Sequence, residues 1–351
     1  MSVRRIVVFL PNWIGDAVMA TPTLRALRRR YGSGTEIVGI ARAHVEELLR
    51  GSGLVDRIWL YAPERRDFAH RPRGLVWRLT RERADVSVHL TNDLMSACVA
   101  TLGRVPTRAG YARNRRGPLL THALAAPHDG RAFLPVSALD YYLEIACALG
   151  CATEPPHLEL ATTDADEAAA DAAWRALGID AHEPVLLLNS SGAFGAAKLW
   201  PDEHFAQLAR RIATELDHTV LLLCGPDERA RAAAIAARAA HPRVRSLAER
   251  PLGVGLTKAC VRRARGLVST DSGPRHVGAA FGIPVVAIFG PTDPAWSETR
   301  YAGEVKVRRD VPCAPCGART CPEGHHACMR ELDVDTVFGA VTRAIAPERA
   351  A

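Results

Sequence analysis

The chain has 351 residues, 48% hydrophobic and 6% aromatic, which excludes a disordered protein and provides for two cores more comfortably than one. Its formal charge of +7 is uneven: residues 1–150 hold 22 arginines against 13 acidic residues, and the remainder is slightly acidic. A basic first half suits an anionic partner, although a general preference for arginine, with only three lysines in the chain, accounts for part of it.

Taken in order, Arg5–Leu10 reads as a buried strand. Its apolar run resembles a signal peptide after Arg4-Arg5, but Pro11-Asn12-Trp13 cuts it short. No later apolar run approaches the roughly 20 residues of a membrane helix, so a cytoplasmic location is expected. Thr21–Tyr31 follows as a helix, then a strand over Glu36–Ile40, a helix over His44–Arg50, and strands over Arg57–Tyr61 and Val86–Leu90. Each strand is short, apolar and β-branched, as parallel strands buried on both faces are. A linker falls near Cys151–Asp166, where Thr162-Thr163-Asp164-Ala165-Asp166 caps a helix through Ala168–Leu177. A second series begins there: Val185–Asn189, Thr219–Gly225, Arg243–Leu247, Gly266–Asp271 and Val285–Gly290. The expected fold is α/β, with two Rossmann-like domains over 1–160 and 161–330 facing each other across a cleft, and a last helix within 331–351 that returns to the first domain.

The chemistry concentrates at strand ends. Val268–Thr270 runs into Asp271-Ser272-Gly273 and a small-residue helix that carries His276 in its first turn. Ligands bind at the carboxyl ends of such strands, and a helix start offers N–H groups and a positive dipole end to phosphate. After Val185–Asn189 come Ser190-Ser191-Gly192 and a Gly/Ala loop with Lys198 before Trp200-Pro201. An ammonium there is a point charge suited to phosphate, weighed against an ordinary surface lysine. Glu228 follows another strand end, after Cys224-Gly225-Pro226-Asp227. In the first half, Asn12-Trp13-Ile14-Gly15-Asp16 occupies the loop before the helix at Thr21, where a Gly-x-Gly-x-x-Gly dinucleotide loop would otherwise stand. Asp16 reads either as a cap for that helix or as a general base.

The segment TDSGPRHVGAAFGIPVVAIFGPTDPAWS, from Thr270, resembles the nucleotide-sugar signature of the ADP-heptose:lipopolysaccharide heptosyltransferases, glycosyltransferase family 9. Leu10–Pro22 and Asn189–Pro201 fit the same family in the same order, and the cysteine-rich tail places the chain nearest the branch that adds the second heptose. The resemblance implies the GT-B fold and an inverting transfer of L-glycero-D-manno-heptose from ADP-heptose to the first heptose of the lipid A–Kdo inner core, at the cytoplasmic face of the inner membrane. It implies Asp16 as general base, with Asn12, Trp13 and Gly15 on the acceptor side. Ser190, Ser191, Lys198, Glu228, Asp271, Ser272, Gly273 and His276 would hold the donor. No cofactor or metal is expected.

Cys313-x₂-Cys316-x₄-Cys321-x₆-Cys328 is a weak candidate for structural zinc, since one Cys-x-x-Cys is half of the paired pattern. Three other functions are weighed: a family 9 transferase with a different acceptor, such as the first-heptose enzyme; a sugar-nucleotide epimerase; and a nucleic-acid-binding protein with a zinc tail. The last lacks a stacking platform and a basic run in the tail, so no nucleic-acid partner is expected.

Overall fold

In a computed structural model, which describes residues 3–346, the first six strands are β1 (Arg5–Phe9), β2 (Glu36–Ala41), β3 (Arg57–Leu60), β4 (Val86–His89), β5 (Thr107–Tyr111) and β6 (His122–Leu124). They form one parallel sheet in the order β3-β2-β1-β4-β5-β6. The second six are β7 (Val185–Asn189), β8 (Thr219–Leu223), β9 (Val244–Ser246), β10 (Gly266–Thr270), β11 (Val285–Phe289) and β12 (Glu304–Arg308). They pair in parallel as β12-β11-β10-β7-β8-β9. Renumbered from β7, the second sheet has the same order as the first, so one doubly wound Rossmann plan is used twice without sequence repetition. In each sheet the strand order reverses beside the first strand, between β1 and β4 and between β7 and β10.

The chain divides into two units, residues up to 161 with 295–300, and 162–294 with 301 onward. β1 and β7 are almost wholly buried along their length, which their unbroken Val, Leu, Ile and Phe runs require. The helix Thr21–Tyr31 takes Pro22 in its first turn, carries Arg28, Arg29 and Arg30 in its last, and stops at Gly32 with φ +77°, as the helix dipole and left-handed cap prefer. Thr163 caps the helix Asp164–Ala176 in a reciprocal box with Asp166.

Three strands escape the sequence reading. β5 and β12 carry charges inside the strand, and β6 is three residues long; none gives the apolar run that marks a central strand. The last helix, Val334–Ile345, packs on the helix Asp202–Glu215 and on β10, β11 and β12. Its buried Val337, Ala340 and Val341 meet that sheet, so it packs within the second unit. Residues 347–351 of that expected segment lie outside the described residues. The piece that joins the first unit is 295–300, where Glu298 accepts a hydrogen bond from Ser137 at 2.5 Å and Arg300 pairs with Asp140 at 2.7 Å.

Candidate active site

In the second unit, the reversal of strand order brings the loops after β7 and β10 side by side. Asn189, the last residue of β7, donates from Nδ2 to Ser269 Oγ (3.0 Å) and to Ser272 Oγ (2.8 Å). Thr270 Oγ1 donates to the Ser191 carbonyl at 2.5 Å. Arg231 donates to the Ser190 carbonyl at 2.6 Å and to the Trp200 carbonyl at 2.9 Å. Ser190, Ser191, Ser272 and Gly273 are thus held at one sheet end. Ser272 is the N-cap residue of the helix Gly273–Ala280, but its side chain caps no helix N–H; its hydroxyl is turned to Asn189 and Ser269.

Beneath these loops lies a buried network of charge. Lys198 donates from Nζ to Asp271 Oδ2 (2.6 Å) and to the Asp271 carbonyl (2.9 Å). Arg275 donates to Asp271 Oδ1 at 2.9 Å and chelates Glu304, with Nη2 at 3.0 Å from Oε2. Thr292 donates to Asp271 Oδ2 at 2.7 Å. Two buried cations and two carboxylates therefore balance, and the partly exposed Lys306 adds a looser contact to Glu304 at 3.8 Å. Burial alone would raise the Asp271 carboxyl, but the Lys198 and Arg275 charges and the hydrogen bonds from Lys198 and Thr292 bring it to about 2. An ammonium has three N–H donors and Lys198 spends two here. Its Nζ also stands 4.8 Å from the Phe194 ring centre.

His276 is buried beside the charge cluster, within reach of the Arg275, Asp271 and Lys198 charges. It is 3% exposed and its Nδ1 has no hydrogen-bond partner. Burial, then the Arg275 charge, holds its pKa well below the usual range, so it stays neutral. Glu228 accepts the Gly225 N–H at 2.9 Å, so one carboxylate oxygen closes its own turn.

The cysteine-rich loop forms a wall of this site. A Cβ on Gly195 would lie 2.3 Å from the Arg319 carbonyl oxygen, which accepts the Ala197 N–H at 3.0 Å. Gly317 N–H donates to the Pro291 carbonyl at 2.7 Å, and the Arg319 guanidinium lies over Phe194. Gly192 is equally confined, since a Cβ would meet Leu199 at 2.2 Å. Cys313, Cys316, Cys321 and Cys328 line one small cavity with His325 and His326. Burial pushes the Cys328 thiol up, and the other three cysteines add to this. Among the described residues no three His, Cys, Asp or Glu side chains are arranged to hold a metal ion.

In the first unit, Asp16 is not in a loop. It lies in the first turn of a short helix, Ile14–Met19, that precedes Thr21–Tyr31. Neither Pro11 nor Trp13 prevents helix formation from Ile14 onward, and an acidic residue in a first turn is favoured by the dipole. Asp16 is half-buried, Gly15 is buried, and Asn12 and Trp13 are exposed. The Asp16 charge helps to hold the Tyr142 hydroxyl protonated, after burial, which acts most. His44 donates from Nε2 to the Asn12 carbonyl at 2.6 Å. A cavity at the carboxyl ends of β1 and β2 is lined by Asn12, Arg42, Tyr61, Thr91 and Asp93, among others. It sits at the strand-order reversal of this sheet.

Sequence reasoning missed Asn189, Arg275, Thr292, Glu304 and Arg319. The first three stood within the recognised motifs, and an arginine in the apolar first turn of Gly273–Ala280 was a usable signal. Glu304 carried none, being brought in by the pairing of β11 with β12.

The sequence profile of "Glycosyltransferase family 9 (heptosyltransferase)" matches residues 73–327. Lipopolysaccharide heptosyltransferase 2 of Escherichia coli K12 is 26% identical over 363 aligned positions, covering 99% of this chain and 100% of that protein. Lipooligosaccharide heptosyltransferase 2 of Haemophilus ducreyi is 25% identical, covering 97% and 99%. The solved E. coli ADP-heptose lps heptosyltransferase II superposes with a TM-score of 0.78 at 22% identity, covering 99% of this chain and all of that one.

Proposed function

The chain belongs to glycosyltransferase family 9, and from that premise we propose how its two units divide one reaction. The reaction is ADP-heptose transfer in lipopolysaccharide core biosynthesis, and the acceptor proposed is the lipid A–Kdo core that already carries one heptose. Full-length likeness to second-heptose enzymes supports that acceptor.

The observation that carries the donor assignment is the pair of loops after β7 and β10, fixed together above a neutral charge cluster. The ADP diphosphate is proposed to lie against Ser190, Ser191 and the start of Gly273–Ala280, where backbone N–H groups and the helix dipole meet its charge. Lys198, oriented by Asp271, offers its remaining N–H to the phosphate. Charge grows on that phosphate as the bond to the sugar breaks, so a preformed donor there favours the transition state over the ground state. Glu228 keeps one carboxylate oxygen for the ribose hydroxyls. Asp271 and His276 are proposed to position and not to touch the donor, the first through Lys198 and the second through packing.

Asp16 is the proposed base. It takes the acceptor hydroxyl proton as that oxygen attacks the anomeric carbon from the face opposite ADP, which inverts the configuration. Asn12, Trp13 and the cavity edged by Arg42, Tyr61 and Asp93 are proposed to hold the acceptor sugar, with Gly15 keeping the backbone close. With these groups the reaction is proposed to need no metal ion, so dialysis against a chelator leaves the rate unchanged. An acceptor with lipid chains places the enzyme at a membrane surface.

The test is to incubate the protein with ADP-heptose and the one-heptose core, and to follow released ADP together with product mass. One ADP released per heptose added supports the reading. Release of ADP without any acceptor, as a hydrolase would give, or conversion of the donor to an isomeric ADP-sugar without acceptor, as an epimerase would give, contradicts it.

A further inference from the structure

Nine large apolar side chains stand out into solvent among the described residues, and all belong to the first unit, the one with the basic excess. Five of them, Phe68, Trp77, Leu94, Met95 and Leu102, fall within one stretch of the chain. That stretch holds two neighbouring helices, Pro72–Glu82 and Leu94–Leu102. Leu75, Leu79, Val99 and Ala100 from the two helices share one core with Val7, Phe9, Val38 and Ile40 of β1 and β2. Both helices therefore cover the same side of the sheet, and their outer faces look the same way.

On the outer face of the first helix, Arg73, Trp77 and Arg81 follow at intervals of four, one above another. Trp77 is 52% exposed. On the second helix Leu94 and Leu102 stand two turns apart on one stripe, and Leu102 is 66% exposed. Gly103 lets the two helices meet closely, since a Cβ there would lie 2.6 Å from the Leu79 Cβ. Phe68 is held out by construction. Asp67 accepts the Ala69 N–H at 3.0 Å, Ala62 N–H donates to the His70 carbonyl at 3.0 Å, and Arg71 donates to the Arg65 carbonyl at 2.8 Å. The Phe68 carbonyl lies directly on Gly74, where a Cβ would come within 2.1 Å of its oxygen. Residues 65–83 carry seven arginines against Asp67 and Glu82. Of these, Arg65, Arg66, Arg73, Arg81 and Arg83 are exposed and form no ion pair among the described residues.

We propose that this two-helix face seats the protein on an anionic phospholipid bilayer. Trp77, Phe68, Leu94 and Leu102 enter the interfacial layer, and the arginines around them meet lipid phosphates. Aromatic side chains favour the headgroup level, and each cation near an anionic surface adds to the attraction. A second copy of the chain fits poorly, because a symmetric interface would set the arginine-rich stretch against itself. A nucleic acid would use the arginines but leave Leu94 and Leu102 without a role. The inference rests on the proposed function only in that a lipid acceptor gives the seat its purpose; the surface is argued from exposure and charge.

The experiment is sedimentation of the full chain with sucrose-loaded vesicles of phosphatidylethanolamine and phosphatidylglycerol, and with phosphatidylcholine vesicles. Wild type is compared with W77A/L102S and with R73E/R81E. Transfer to a deacylated, water-soluble core acceptor and ADP affinity are measured on the same preparations. Wild type is expected to bind the anionic vesicles, less so in high salt, and each double variant to lose about tenfold or more in partitioning. Transfer to the soluble acceptor and ADP affinity stay unchanged, which shows both variants folded. Wild type that ignores anionic vesicles, or variants that bind as well as wild type, overturns the proposal. So does a wild-type dimer, seen by light scattering, that W77A/L102S dissociates without any vesicle binding. If vesicle binding behaves as expected and no acceptor is glycosylated by wild type, the transferase reading fails and the docking surface stands.

Discussion

Replacing Asp271 by asparagine keeps the shape of the site and removes one charge from beneath it. Asp271 is 9% exposed, with Lys198 at 2.6 Å and Arg275 at 2.9 Å. Glu304 is taken up by Arg275 and, at 3.8 Å, by the partly exposed Lys306, and among the described residues it does not pair with Lys198, so the variant leaves one buried cation uncompensated. Breaking a buried pair from one side costs about 3–5 kcal/mol. For a unit of this size that lowers the melting temperature by roughly 6–20 °C. The carboxyl is held near 2 in the fold against 3.8 ordinarily. Its contribution is therefore fully present above about pH 4 and is lost as pH falls through 2. That difference amounts to about 2–3 kcal/mol and is the part the pH profile of Asp271→Asn should lack. The larger figure at neutral pH reflects the orphaned Lys198. The double variant Lys198→Met/Asp271→Asn restores neutrality and should regain at least about 1 kcal/mol over the single one, as a double-mutant cycle measures. Calorimetry follows the transition that ADP raises. A loss below about 1 kcal/mol in the single variant, or no recovery in the double, would refute the claim that Asp271 exists to balance Lys198.

Three further outcomes are expected. Asp16→Ala should lower the rate of transfer by about 10²–10⁴ while ADP affinity stays within roughly twofold; weakened ADP binding would count against its role as base. Gly195→Ala drives a methyl into the Arg319 carbonyl and should weaken ADP binding while the first unit melts as before; unchanged ADP affinity would show that the cysteine-rich loop does not shape the donor site. Burial holds His89 neutral, with its pKa lowered to about 3. The unfolded chain takes up that proton near 6.5, so stability is present above that pH and falls as pH drops from about 6.5 toward 3, by up to about 1.4 kcal/mol per pH unit. The buried His276 acts in the same direction. His89→Gln should flatten the acid limb of a urea-unfolding series, and an unaltered slope would mean that His89 is protonated in the fold.

The central strands were legible because burial on both faces demands apolar runs, which β1, β7 and β11 have nearly end to end and β10 has in Leu267-Val268 before its small polar Ser269-Thr270. The polar residues at their carboxyl ends were legible for the same reason, since chemistry is placed where the apolar run stops. β12 was hidden because Lys306 and Glu304 alternate with valines on a sheet edge. Its absence from the reading also concealed the partner of Arg275. The roles of Lys198 and His276 were read from position along the chain, which does not say which way a side chain turns. Lys198 turns to Asp271 and His276 is buried beside Arg275, and only the packing of the folded chain decides this. The helix around Asp16 was missed because it is only six residues long, below what periodicity resolves.

The most direct test of the account is transfer from ADP-heptose to purified lipid A–Kdo cores bearing zero or one heptose, read by product mass. The account predicts a gain of one heptose on the one-heptose core and none on the heptose-free core. Addition to the heptose-free core would contradict it and make this chain the enzyme of the preceding step.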